Sequence, residues 1–89
     1  MSDDAYSAFG NKIRAKLILC LSKKSQNVTE LIKNCTLSQS AVSQHLAKLR
    51  RSGIVVAAKS GQTVHYALKY KKAAEISVLL LALEKELNR

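Results

Sequence analysis

Residues 37–53 read LSQSAVSQHLAKLRRSG, and the fold follows from how this stretch is punctuated and patterned. Ser38 stands where a helix N-cap belongs, ahead of a run of good helix formers without proline. Gly53 closes the run just after Arg50 and Arg51 in the last turn. On a helical wheel Val42, Leu46 and Leu49 recur at i, i+4, i+7 as one apolar stripe, while Ser40, Ser43, Gln44, Ala47, Lys48 and Arg51 fall on the opposite side. That outer face carries no acid. Its amides and hydroxyls suit base edges in a major groove, Ala47 lets the helix approach closely, and Lys48 and Arg51 suit phosphates. A merely solvated face on an amphipathic helix would look the same in isolation, so the flanking segments decide.

Upstream, Thr29 to Asn34 is a short helix anchored by Leu31 and Ile32, with Cys35, Thr36 and Leu37 as a turn and both Leu37 and Cys35 directed inward. A supporting helix in this position crosses the DNA backbone, where Lys33 could touch phosphate. Downstream, Ile54–Lys59 and Thr63–Leu68 read as strands separated by Ser60-Gly61-Gln62, a hairpin whose tip is flanked by Lys59 and Gln62. Helix, turn, longer helix and a hairpin with a basic tip is the order of a winged helix-turn-helix, in which the tip lies beside the minor groove or the adjacent backbone.

The run VTELIKNCTLSQSAVSQHLAKLRRSGIVVAAKSGQTVHYAL resembles the ArsR/SmtB family of bacterial and archaeal repressors, including a Ser-x-His-Leu core at Ser43, His45 and Leu46, and FGNKIRAKLILCLSKK resembles the family's preceding helix. The resemblance covers most of the chain. It implies a homodimer built from the first and last helices, DNA contact through the helix that holds Ser43 and His45, and repression by occupying a promoter. Metal-sensing members cluster Cys in the supporting helix, or His and acids in the last helix. Here VTELIKN has no Cys or His, and the last helix has Glu75, Glu84 and Glu86 but no His. The soft donors Cys20, Cys35, His45 and His65 lie on different elements, so no metal and no cofactor are expected. The recognition helix and wing are most similar to non-metal members that sense reactive sulfur or oxidants with one Cys in the early helices and one in the last, and this last helix has none. Cys20 and Cys35 are expected to be small buried hydrophobes. They could serve as a thiol redox sensor only if the supporting helix folds back over the one before it.

The bulk numbers agree with a DNA partner. Eighty-nine residues make one small domain, near the size at which a partner chain helps stability. A net charge of +9, from 15 Lys and Arg against 6 Asp and Glu, favours a polyanion, while 47% hydrophobic residues exclude a disordered basic tail. Two cysteines outside any framework spacing fit a reducing cytoplasm. The acidic start MSDDAYSAFG is unlike a signal peptide, and the apolar run Val78–Leu83 is too short to span a bilayer, so no membrane partner is expected. No Gly-rich phosphate loop, metal cluster or nucleophile–base pair suggests an enzyme. The competing class is a winged helix for protein contact, which would need apolar or aromatic anchors on the outer face of residues 39–51.

Ser2 followed by Asp3 and Asp4 reads as a first helix start. Tyr6, Phe9, Ile13, Leu17 and Cys20 share a face, with a possible break at Gly10-Asn11, and Ile18 and Leu19 point elsewhere. Lys23 to Asn27 reads as a polar connection. In the last segment, Lys71 to Asn88, Ile76, Leu79, Leu80, Leu83 and Leu87 form one stripe, and Ala74, Val78, Leu81 and Ala82 cover the reverse. One small body cannot bury both sides. The expected architecture is therefore mainly α with a small β-hairpin, a winged helix-turn-helix of order ααααββα: N-terminal helices in 1–22, helix-turn-helix in 28–52, wing in 53–69 and dimerisation helix in 71–88. The expected DNA-binding residues are Ser38, Gln39, Ser40, Ser43, Gln44, His45, Lys48, Arg51, Lys59 and Gln62. The expected dimer interface is Phe9, Ile18, Leu19, Val78, Leu81 and Ala82.

Overall fold

The computed structural model describes residues 4–89; the helix start read at Ser2 and Asp3 lies outside them. The elements in chain order are α1 (Asp4–Phe9), α2 (Lys12–Leu21), α3 (Val28–Cys35), α4 (Gln39–Ser52), β1 (Val55–Ser60), β2 (Thr63–Leu68) and α5 (Lys71–Leu87). This is a winged helix-turn-helix.

Each boundary has a local cause. Gly10 and Asn11 break the first helical segment, and the Asn11 side chain caps α2 by accepting from the Ile13 and Arg14 amides. Helix α3 starts at Val28, one residue before the expected Thr29, because Asn27 and Glu30 form a reciprocal capping box: Asn27 Oδ1 accepts from the Glu30 amide and Glu30 Oε1 from the Asn27 amide. It also runs on through Cys35, so the turn shrinks to Thr36 and Leu37, with Thr36 in the left-handed region at φ 55°. Ser38 Oγ then accepts from the Ala41 amide, and Gly53 ends α4 at φ 85°. In the hairpin Ser60 pairs with Thr63, so the turn is the two residues Gly61-Gln62, one shorter than the expected Ser60-Gly61-Gln62 separation. Gly61, at φ 63°, occupies the first turn position, where a hairpin of this kind favours glycine.

Helix α2 lies at the centre, against α3, α4, α5 and β2. Its Leu17, Ile18 and Leu21 join Leu31 of α3, Val42, Leu46 and Leu49 of α4, and Ile54 and Val55 at the root of the wing in one buried cluster. The α4 stripe is buried as its periodicity requires. The α2 pattern is broader than the sequence suggests: along the face read through Tyr6, Phe9, Ile13, Leu17 and Cys20, Tyr6 is exposed, Phe9, Ile13 and Cys20 are half-buried against the core and Leu17 is fully buried, and Ile18 is fully buried as well. Ile18 therefore cannot serve a dimer interface. A central helix must be apolar over a wide arc, so its second apolar face meets its own protomer.

The polar connection before α3 is exposed through Ser25 but anchored at its end. Gln26 is buried, its backbone pairs with Tyr66 through hydrogen bonds of 2.9 and 2.8 Å, and its side-chain amide donates to Cys20 O while accepting from Asn34 Nδ2. The wing is thereby extended by a single bridge into the body. Helix α5 also departs from expectation. The side facing α2 is built around buried Ala73 and Ser77, with Ala74 and Leu81 half-buried, while the stripe Ile76, Leu79, Leu80, Leu83 and Leu87 is exposed. Among the described residues no helix is long and apolar enough to cross a membrane.

Candidate nucleic-acid interface

Burying Val42, Leu46 and Leu49 fixes the rotation of α4 about its axis, and every other property of its outer face follows from that. Gln39, Ser40, Ser43, Gln44, Ala47 and Arg51 are exposed, as is the capping Ser38; Lys48 and His45 are half-buried on the flanks. Lys59 and Gln62 are exposed at the hairpin tip, and Lys33 is exposed on α3. The helix dipole places partial positive charge near Gln39 and Ser40, and the cations Arg50 and Arg51 offset its negative end.

The electrostatics are one-sided. From Leu31 to Ala74 the chain contains no Asp or Glu, but it contains Lys33, Lys48, Arg50, Arg51, Lys59, Lys69, Lys71 and Lys72. Glu30 is occupied in the α3 capping box, and Glu84 of α5 pairs with Lys12 of α2 at 2.9 Å. Apart from Glu30 at the start of α3, the surface shared by α3, α4 and the wing therefore has no acid to repel an incoming phosphate.

His45 is the one member of the set with a built environment. Its Nδ1 lies 3.2 Å from Nη1 of Arg14, a buried arginine of α2 whose Nε donates to Ala8 O at 3.1 Å and whose Nη2 donates to Ser7 O at 2.7 Å. Burial, then the charges of Arg14 and Lys48, hold the imidazole below the usual histidine range. Arg14 was not among the residues singled out from the sequence. The signal was present as a cation at i−3 and i−4 to Leu17 and Ile18, inside the buried arc of a helix.

On the other side of the body Cys20 of α2 and Cys35, the last residue of α3, form a disulfide with Cα atoms 6.4 Å apart. The expectation of two unpaired small hydrophobes is thus replaced by a bridge, because α3 does fold back over α2. The disulfide lines an open groove of about 600 Å³ together with Lys16, Leu19, Lys23, Thr36 and Leu37. Leu19 also borders a second groove of about 480 Å³ with Val78, Leu81 and Ala82, so three of the residues expected at a dimer face converge there with it; Phe9 is half-buried at the α1 end.

Residues 11–56, more than half of the chain, match the family described as bacterial regulatory protein, arsR family. The chain belongs to the ArsR family. It is a DNA-binding transcriptional regulator. The transcriptional activator HlyU of Vibrio cholerae serotype O1 is 39% identical over 82 residues, covering 92% of this chain and 76% of that protein. The HlyU structure from that organism superposes with a TM-score of 0.74 over 90% of this ArsR-family chain and 87% of the other. The nodulation protein NolR of Rhizobium meliloti is 40% identical over 60 residues, 67% of this chain and 49% of NolR. The transcriptional repressor BigR from Xylella fastidiosa superposes with a TM-score of 0.78 at 28% identity, over 90% of this chain and 82% of BigR.

Proposed function

We propose that this ArsR-family chain binds an inverted repeat of double-stranded DNA as a homodimer in the bacterial or archaeal cytoplasm, without a metal or cofactor and without catalysis, and represses by occupying promoter DNA. The observation that carries this reading is the exposed, acid-free outer face of α4 continuing into the wing. Gln39, Ser40, Ser43 and Gln44 read bases, with glutamine able to bond adenine through two hydrogen bonds, and Ser38, Lys48, Arg51, Lys59 and Gln62 hold the backbone. Exposed apolar anchors, which a protein-docking face would need, are absent from residues 39–51 among the described residues.

Dimerisation is supported by the apolar surface left on α5. Leu79 is 69% and Leu87 75% exposed, and Ile76, Leu80 and Leu83 continue the stripe. An exposed leucine stripe flanked by the Leu19–Val78–Leu81–Ala82 groove suits an isologous contact with a second copy. Two recognition helices about 34 Å apart would then meet successive major grooves. Selection from a random duplex pool tests the whole reading: a palindromic consensus is expected, and recovery of no duplex at low salt overturns it. On that consensus Gln44→Ala should cost about 1–3 kcal/mol and little on random DNA.

The Cys20–Cys35 bridge favours a second reading, thiol control of the same DNA binding. Two-electron oxidation of the paired thiols, with release of two protons to solvent and both electrons to a peroxide or disulfide oxidant, ties the end of α3, and so the helix-turn-helix turn, to α2. Operator affinity should differ between oxidised protein and protein reduced with dithiothreitol, and Cys35→Ser should behave as the reduced form under both conditions. Identical affinities would remove this reading and leave the first intact.

A further inference from the structure

Arg14 joins three elements. Two of its nitrogens hold the carbonyls of Ser7 and Ala8 at the end of α1, and the third approaches His45 Nδ1 on α4. A guanidinium is donor-only and does not deprotonate in proteins, so the contact at Nδ1 requires a lone pair there. The single ring proton of neutral His45 must then sit on Nε2. That nitrogen has no hydrogen-bond partner among the described residues, and it is absent from the buried polar atoms left unpartnered, a set containing only Ser77 Oγ. Nε2–H is thus left without a partner among the described residues, on the flank of the helix whose neighbouring residues Ser43, Gln44 and Lys48 border the proposed groove face.

We propose that Arg14 is a positioning residue that fixes His45 as its Nε2–H tautomer, so that the recognition helix offers DNA a neutral, oriented hydrogen-bond donor at this position. The proposal rests on the DNA-binding role of α4. The atom it meets is an acceptor, either a phosphate oxygen or a base acceptor such as guanine N7 or O6, and a donor such as the cytosine amino group is refused. Support by a group whose own geometry is locked is what makes such a donor directional. Here the lock is strong, since the two α1 carbonyls hold the guanidinium plane before His45 engages it.

The tautomer is read in free protein, without DNA, by two-bond ¹H–¹⁵N correlation on histidine-labelled material, with His65→Gln assigning the two rings. Wild type should show an unprotonated Nδ1 and a protonated Nε2 at pH 7.5. Arg14→Ala should show shifts averaged between tautomers and a titration moved toward ordinary histidine. On the selected duplex, Arg14→Lys should weaken binding about two- to tenfold, the equivalent of one ordinary hydrogen bond, and should have no further effect in a His45→Ala background. If the loss is confined to one base position the acceptor is a base, and if it is uniform across sequences the acceptor is a phosphate. A protonated Nδ1 in wild type, or equal losses in both backgrounds, overturns the proposal. Should Arg14→Lys fail to fold, the wild-type tautomer still decides. Failure of every duplex to bind would instead strike the DNA-binding reading while the tautomer remained measurable.

Discussion

Helices α4 and α5 both carry regularly spaced leucines, yet only in α4 do those leucines face inward. Helix α4 has one apolar stripe and one polar face, so burial of Val42, Leu46 and Leu49 leaves a single rotation and exposes the polar side. Helix α5 is apolar on more than one side, and the choice between sides is made by the space beside α2. Ala73 and Ser77 face α2, and the bulkier Ile76, Leu80, Leu83 and Leu87 are left outside. Small residues allow the two axes to come close, whereas turning the leucine stripe inward would overfill the contact. The lesson is that periodicity orients a helix with one apolar face and only nominates candidates for a helix with two.

The contrast is broken most directly by trading leucines between the two helices. Leu49→Ala should cost about 2–5 kcal/mol in urea unfolding, because it opens a cavity at a fully buried site. Leu83→Asp should leave the protomer's circular dichroism unchanged and shift sedimentation toward monomer; a loss of fold comparable to Leu49→Ala would mean that the stripe is core after all. A smaller effect sharpens the account of α5. Ser77 is fully buried and its hydroxyl has no partner among the described residues, so Ser77→Ala should raise stability by about 1 kcal/mol by removing an unsatisfied polar group. Ser77→Leu should lower it by about 1–3 kcal/mol through overpacking.

The smallest effect concerns the flank of α4. His45 is held below the ordinary histidine value of about 6.5 while the unfolded chain titrates there, so on acidification the unfolded state binds the proton first. The stability linked to His45 is fully present above that value and declines as pH falls from about 6.5 toward the folded value. The melting temperature should therefore drop between pH 7.5 and 5.5, and His45→Gln should flatten the drop. An equal fall in both proteins would assign it to other groups.

Four features show where sequence reasoning stopped. Gln26 looked like loop because it is polar, but its amide is consumed by Cys20 and Asn34 on the two flanking helices and its backbone by Tyr66, which is distant in sequence. Ile18 looked spare because α2 was read as having one covered face, when it is covered on several. Arg14 looked like one more surface cation in a basic chain, and only the convergence of α1 and α4 gives it partners. The disulfide depended on whether α3 folds back over α2, which no spacing encodes. By contrast, the expected polar face of α4 is found exposed apart from half-buried Lys48 and His45, since it is the complement of a stripe that could be buried in only one way.

The amino-acid order alone determined the helix-turn-helix, the wing, the capping at Ser38 and Gly53 and the acid-free character of α4, because these rest on local backbone preferences and on a periodicity with one solution. Tertiary packing alone decided which side of α5 turns inward, that Cys20 meets Cys35, and that Arg14 reaches His45. Those outcomes depend on distances between elements far apart in the chain, set by how closely small and large side chains allow the helices to approach.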